Sequence, residues 1–353
     1  MKEKDRGDTW AGPGASPDTS APAASSWPAY LALHASGELA RRAERARMRL
    51  RSCTFCPRRC RVDRLAGELG QCRTGSRARV ASAGPHFGEE APLVGRGGSG
   101  TIFFAGCNLA CLFCQNHDIS QPSGDPEPSL TAGKTASHVR DHPLRWEVSA
   151  ERLAALMLEL QALGCHNINL VSPSHVVPQI LEALALAVGQ GLRLPLVYNT
   201  GGYDSLSTLR LLDGVIDIYM PDIKYAAEAV GQELSGVPDY VVHNRAAVKE
   251  MHRQVGDLEL DGRGVARRGL LVRHLVLPGG LAGTEQVARF LATEISPATY
   301  VNVMDQYRPA HRVAGAAGTC VRQELRRRLT VVEYQEAVAA VRQAGLWRLD
   351  GYV

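Results

Sequence analysis

The sequence predicts an α/β protein built as a partial, six-stranded (β/α) barrel, preceded by a Cys-rich metal-binding segment and a flexible N-terminal tail. Three observations carry this. From about residue 100 onward, short apolar runs alternate with amphipathic stretches, the pattern of parallel strands joined by crossover helices. A loop bearing three cysteines follows the first of those runs, where parallel sheets place their sites. The chain has 353 residues, 45% hydrophobic and 22% charged, an ordinary globular composition with enough apolar surface to bury a sizeable core.

Residues 1–28 are rich in Pro, Ala, Ser and Gly without hydrophobic periodicity, too poor in apolar groups to offset the entropy of ordering. They are expected to be a disordered tail. Residues 29–90 form the next unit. Within it Leu31, Leu33, Leu39, Ala43 and Met48, interleaved with Arg and Glu, predict a basic amphipathic helix from about Ala29 to Leu50. The Cys-rich block, 53–72, follows. Residues 91–310 hold the barrel, with strands expected at Thr101–Ala105, Asn167–Val171, Leu196–Tyr198, Asp217–Met220, Leu271–Leu277 and Tyr300–Met304, each rich in Val, Ile, Leu or Tyr. Glu151–Leu163, Val176–Ala187, Leu206–Leu212 and Glu285–Thr293 carry apolar residues at three and four spacing and are expected to be crossover helices. Pro and Gly between 121 and 146 mark a mobile insertion. Residues 311–353 form a helical extension, in which Val331–Gln343 is a helix docked on the outside.

The net charge of +4, from 40 basic and 36 acidic residues, is too balanced to imply nucleic acid or an anionic membrane as partner. No stretch approaches the roughly 18 apolar residues of a membrane span. With no apolar leader at the N-terminus, the nine cysteines are expected in a reducing cytoplasm, where clustered thiols serve as metal ligands more often than as disulfides.

The most specific feature is Gly106-Cys107-Asn108-Leu109-Ala110-Cys111-Leu112-Phe113-Cys114. Thiolates separated by three and then two residues can curl around an iron–sulfur cubane. Three cysteines leave one of four irons open, and an open coordination position distinguishes a reactive centre from a closed structural one. The alternative is a zinc site in which His117 joins the three thiols. Phe113 favours the first reading, because a flat ring there suits stacking on a nucleoside base.

These residues resemble the radical S-adenosylmethionine superfamily, whose Cys-x3-Cys-x-aromatic-Cys signature Cys107, Cys111, Phe113 and Cys114 meet in full. The wider text, including Asn167 to His175, Tyr198-Asn199-Thr200-Gly201-Gly202-Tyr203 and Met304 to Pro309, looks like the pyruvate formate-lyase activating enzyme-like branch. The resemblance spans about residues 50–345. It implies a [4Fe–4S] cluster at Cys107, Cys111 and Cys114 that chelates S-adenosylmethionine and cleaves it reductively to a 5′-deoxyadenosyl radical. It also implies an electron donor such as flavodoxin or ferredoxin and, for an activating enzyme, a glycyl-radical enzyme as the partner.

For the cofactor, the resemblance points to strand ends. Ser172 and Ser174 occupy the place of the family's Gly-Gly-Glu-like segment, though without its glycines and glutamate. Asn199 and Thr200, with Asp222 and Lys224, resemble the pairs that in activating enzymes surround a monovalent cation; Asn199 stands where the family shows aspartate. Asp222 and Lys224 also suit a plain strand-end ion pair. Arg273 resembles a residue near the cofactor and could fork onto its carboxylate. Strand alternation places His274 on the opposite face as a structural histidine, and His311 is a further candidate.

Upstream, Cys53, Cys56, Cys60 and Cys72 fit one tetrahedral metal. Spacing alone does not separate zinc from a second iron–sulfur cluster, and redox-active thiols remain a third reading. Cys165 and Cys320 are isolated packing residues. Three functions follow: an activating enzyme for a glycyl-radical enzyme; a radical enzyme acting on a peptide, cofactor precursor or nucleic-acid base; and a non-catalytic zinc protein binding nucleic acid through its Arg-rich block. The last is disfavoured because basic residues do not spread across the barrel and no aromatic platform accompanies them.

Overall fold

The computed structural model describes residues 27–121, 147–314 and 322–351. The expected tail up to residue 26, nearly all of the expected insertion and Cys320 lie outside them.

The fold is mixed α/β around a mostly parallel sheet. Its strands are β1 Ala78–His86, β2 Ser99–Phe104, β3 Glu147–Val148, β4 Ile168–Val171, β5 Leu196–Thr200, β6 Ile218–Pro221, β7 Glu259–Leu260, β8 Ala266–Leu275 and β9 Tyr300–Met304. The order is β3-β1-β2-β4-β5-β6-β8-β7, with β9 also on β8. Strands β2, β4, β5, β6, β8 and β9 pair in parallel and in chain order, and they are the six strands expected from the sequence. The three not expected, β1, β3 and β7, are all antiparallel additions at the margins.

Alternation along the parallel strands divides the interior. Ile102, Leu170, Tyr198, Tyr219, Val272 and Val303 face the main core, shared with helices Ala150–Ala162 and Val177–Gly189. Val197, Ile218, Met220 and Leu271 face the other way and form a separate apolar cluster with Leu93 and Leu258. Period-two burial on both faces is what a covered parallel sheet requires.

The predicted N-terminal helix is two helices, Tyr30–Ala35 and Glu38–Met48, broken at Gly37, whose φ of 72° is left-handed. They are tied to the sheet by Ala29 N donating to Asp217 Oδ1 at 2.9 Å and by Tyr30 OH donating to Leu194 O at 2.7 Å. The crossover from β6 to β8 uses Glu228–Ser235 and Tyr240–Val255, neither of them expected. Helix Val331–Gln343 begins with a capping box, Thr330 Oγ1 accepting from Glu333 N while Glu333 Oε2 accepts from Thr330 N. Glu333 also accepts from Gly279 N at 2.8 Å, fastening this helix to the end of β8. Among the described residues, no helix is long and apolar enough to cross a membrane.

Candidate active site

The three-cysteine loop leaves the carboxyl end of β2 through Gly106, and no other residue type fits there. Its φ is 83°, and a Cβ would stand 2.3 Å from Cys72 O. The loop is then pinned to the end of helix Glu228–Ser235, with Ala110 N donating to Ser235 O at 3.0 Å and Leu112 N to Leu234 O at 2.9 Å. Asn108 Nδ2 donates to Tyr203 O at 2.6 Å.

Cys107, Cys111 and Cys114 meet in one apolar cluster with Leu109, Phe113, Tyr225 and Leu234. Each sulfur has a polar neighbour: Leu109 N at 3.4 Å from Cys107 Sγ, Ser235 Oγ at 2.9 Å from Cys111 Sγ, and Ser120 Oγ at 3.1 Å from Cys114 Sγ. Burial, reinforced by Cys111 and Cys114, pushes the Cys107 thiol up to about 12. Burial also raises Cys111, against the pull of the Lys224 ammonium. Cys107 and Cys111 therefore keep their protons at neutral pH unless a metal displaces them. Three sulfurs, Cys111 buried and Cys107 and Cys114 half-buried, with polar neighbours and a nearby cation are a donor set that fits an anionic iron–sulfur centre.

Phe113 is buried, its ring meeting Tyr307 edge-on at 5.9 Å and Tyr225 at 6.5 Å, so it packs the loop and presents no open face. His117 stacks on His311 with ring centroids 4.7 Å apart, and its Nδ1 donates to Cys114 O at 3.2 Å. Among the described residues, no three His, Cys, Asp or Glu side chains form a ready-made metal cage.

The strand ends bring several expected residues together. Asp222 accepts from Lys224 Nζ at 2.6 Å and from Arg273 Nε at 2.9 Å, and Arg273 Nη2 donates to Asn199 Oδ1 at 2.8 Å. Burial alone would raise the Asp222 carboxyl, but Arg273 and Lys224 outweigh it and hold it below its ordinary value. Burial likewise opposes the Lys224 charge, and the Asp222 carboxylate overcomes it. This is more than an exposed pair, since only 15 to 20% of each of these three side chains is exposed.

Ser174 and Thr200 sit deeper. Their hydroxyls are 3.0 Å apart, and Thr200 Oγ1 donates to Asp204 Oδ2 at 2.6 Å while Tyr198 OH donates to Asp204 Oδ1 at 2.9 Å. Ser172, beyond β4, has a left-handed φ of 60°, uncommon for a residue with a Cβ, and its N–H donates to Asn199 O at 2.8 Å. His274 faces away from the site, bonded to Ile223 O and Thr284 Oγ1.

The sequence reading passed over a polar patch beside Arg273. Burial raises the Glu89 carboxyl against the pull of Arg273, and Glu90 Oε1 accepts from Asn302 Nδ2 at 2.9 Å. Asn169 is fully buried beside Glu89, yet no hydrogen bond of normal geometry joins them, and both its amide atoms lack a partner among the described residues. Asn169 and Asn302 interrupting apolar strands were the available signal.

A mixed α/β fold with a mostly parallel sheet, carrying a thiol loop and a charged ladder at neighbouring strand ends, is the class these features define. Over 309 residues the chain is 31% identical to the uncharacterized protein MJ0674 of Methanocaldococcus jannaschii, a match covering 85% of this chain and 76% of that protein, and the chain belongs to the same family. No family model matches. Among solved structures, Streptococcus suis SuiB aligns with a TM-score of 0.40 at 12% identity, over 70% of this chain and 46% of SuiB. SuiB bound to the precursor peptide SuiA aligns with the same score and identity over 69% of this chain. The chain thus spans about half the length of SuiB, 46%.

Proposed function

We propose that this chain is a radical S-adenosylmethionine enzyme in which Cys107, Cys111 and Cys114 hold a [4Fe–4S] cluster with one iron left for the cofactor. One observation carries the reading: the Cys-x3-Cys-x-Phe-Cys loop sits at the carboxyl end of a parallel strand with its three thiols gathered in a single apolar cluster. Six parallel strands in chain order suit a partial (β/α)6 barrel, with the loop at the end where such folds carry chemistry. When bound and reduced, such a cluster supplies the electron that splits the sulfonium into methionine and a 5′-deoxyadenosyl radical.

The chain's own residues do the rest. Leu109 N–H and the Ser235 and Ser120 hydroxyls steady the sulfurs. Phe113, Tyr225, Tyr307 and Leu234 exclude water from their surroundings. Arg273 and Lys224 offer donors for the cofactor's carboxylate, and Asp222 and Asn199 offer acceptors for its ammonium or for a monovalent cation. Ser172, Ser174 and Thr200 line the neighbouring strand ends. The resemblance supplies flavodoxin or ferredoxin as electron donor and a glycyl-radical enzyme as recipient.

Electron paramagnetic resonance of the anaerobically reconstituted, dithionite-reduced protein tests this. S-adenosylmethionine shifts the reduced-cluster signal of the wild type, and Arg273→Ala weakens the cofactor's apparent affinity on the order of 10-fold. A cluster signal indifferent to S-adenosylmethionine sinks the reading.

A further inference from the structure

The Cys-rich segment before the sheet plays no part in that chemistry, yet it gathers four further thiols around one pocket. Cys53, Cys56, Cys60 and Cys72 line one pocket, with Arg64 in its wall. Arg59 N donates to Cys56 O at 3.1 Å and Arg73 N to Gly70 O at 3.0 Å, closing two tight turns, while Cys53 N bonds Val62 O and Arg61 N bonds Cys53 O to fold the segment back on itself. Arg59, Arg61 and Arg73, flanking Cys60 and following Cys72, have left-handed φ values of 44°, 58° and 52°. Three strained non-glycine residues in so short a segment call for a compensating interaction.

Arg64 supplies the independent observation. It is 1% exposed, its guanidinium donating to Gly75 O at 3.0 and 2.9 Å and to His175 O at 2.8 Å, with Cys53 Sγ at 3.8 Å. Among the described residues, every acceptor it meets is formally neutral and no carboxylate pairs with it. A guanidinium does not shed its proton, and a buried cation facing only dipoles is costly. Four thiols deprotonated by one divalent ion would carry two net negative charges, the counter-charge that Arg64 lacks.

We propose that Cys53, Cys56, Cys60 and Cys72 ligate one zinc ion in a closed four-thiolate site, with Arg64 as its buried counter-ion. The thiols close on the ion as they lose their protons, as metal-coupled folding allows. Zinc is the occupant assigned because four thiolates fill its tetrahedral coordination sphere and leave no open position. The site also backs the three-cysteine loop. Cys72 O lies against Gly106, Arg58 donates to Asn108 O and to Gly236 O, and Arg64 bonds His175 O while His175 Nε2 donates to Ala105 O.

The test uses the full chain carrying Cys107→Ala, Cys111→Ala and Cys114→Ala, so that any metal retained belongs to this set and the result is independent of the proposed activity. About one zinc per chain is expected, without iron or acid-labile sulfide, and cobalt(II) in its place gives the visible bands of a tetrahedral four-sulfur site. X-ray absorption at the zinc edge of the wild-type chain, expected to show four sulfurs at about 2.3 Å, removes any dependence on how the triple variant folds. Iron with sulfide in the triple variant, or nitrogen and oxygen neighbours around zinc, would overturn the assignment. Arg64→Met should speed zinc loss to a chelator on the order of 10-fold; an unchanged rate would remove Arg64 from the site.

Discussion

Asp222 stands between two cations, and its removal leaves Lys224 and Arg273 facing each other with little solvent to screen them. Breaking a fully buried pair costs about 3–5 kcal/mol, and the residual exposure here lowers the expectation for Asp222→Asn to about 2 kcal/mol. Urea denaturation measures it, and unchanged stability would show that the two cations are held apart by something else. His274 makes a separate prediction. Burial holds its imidazole below the ordinary value of 6.5 against the opposing pull of Ile223 O and Asp222, so the folded chain keeps it neutral. The unfolded chain takes up a proton first as the pH falls. The stability that His274 contributes is therefore complete above 6.5 and is lost as the pH drops through the folded value. Urea midpoints recorded from pH 7.5 downward, at about half-unit intervals, should fall less steeply in His274→Gln than in the wild type; identical slopes would contradict the assignment.

At the scale of elements, the parallel strands were legible because each is a short β-branched or aromatic run with both faces covered, as in Ile168–Val171 and Leu196–Thr200. Strand β1 was not, since Ser82, Gly84 and Pro85 break its pattern and antiparallel pairing at a margin tolerates them. Helix Tyr240–Val255 does carry Tyr240, Val241, Asn244, Val248, Met251 and Val255 at helical spacing, but His, Arg and Lys between them dilute the signal. The cysteine loop was fully legible in its spacing, whereas the buried packing of Phe113 and the hydroxyls of Ser235 and Ser120 against the sulfurs depend on contacts the spacing does not encode. The loop's entry belongs to this scale as well. Gly106→Ala places a Cβ against Cys72 O and forces a left-handed residue, so iron incorporated on reconstitution should drop well below the wild-type value. Normal loading would mean that the loop can be seated another way.

Across the whole molecule, the N-terminal helices, the Cys-rich segment and the sheet form one support for the three-cysteine loop. Asp217 and Leu194 hold the helices at the amino ends of strands, while Arg58, Cys72 and the Arg64–His175–Ala105 chain hold the loop at a carboxyl end. This arrangement places the charged ladder of Asp222, Lys224 and Arg273 beside the thiols, with Lys224 close enough to pull on Cys111. The activity proposed for this assembly is cleavage of S-adenosylmethionine at a cluster on Cys107, Cys111 and Cys114. The most direct measurement is chromatographic detection of 5′-deoxyadenosine after anaerobic reconstitution with iron and sulfide, reduction with dithionite and addition of S-adenosylmethionine. Production by the wild type and its loss in each of Cys107→Ala, Cys111→Ala and Cys114→Ala is the predicted result, and no product from a cluster-loaded wild type, or full production by Cys111→Ala, would contradict it.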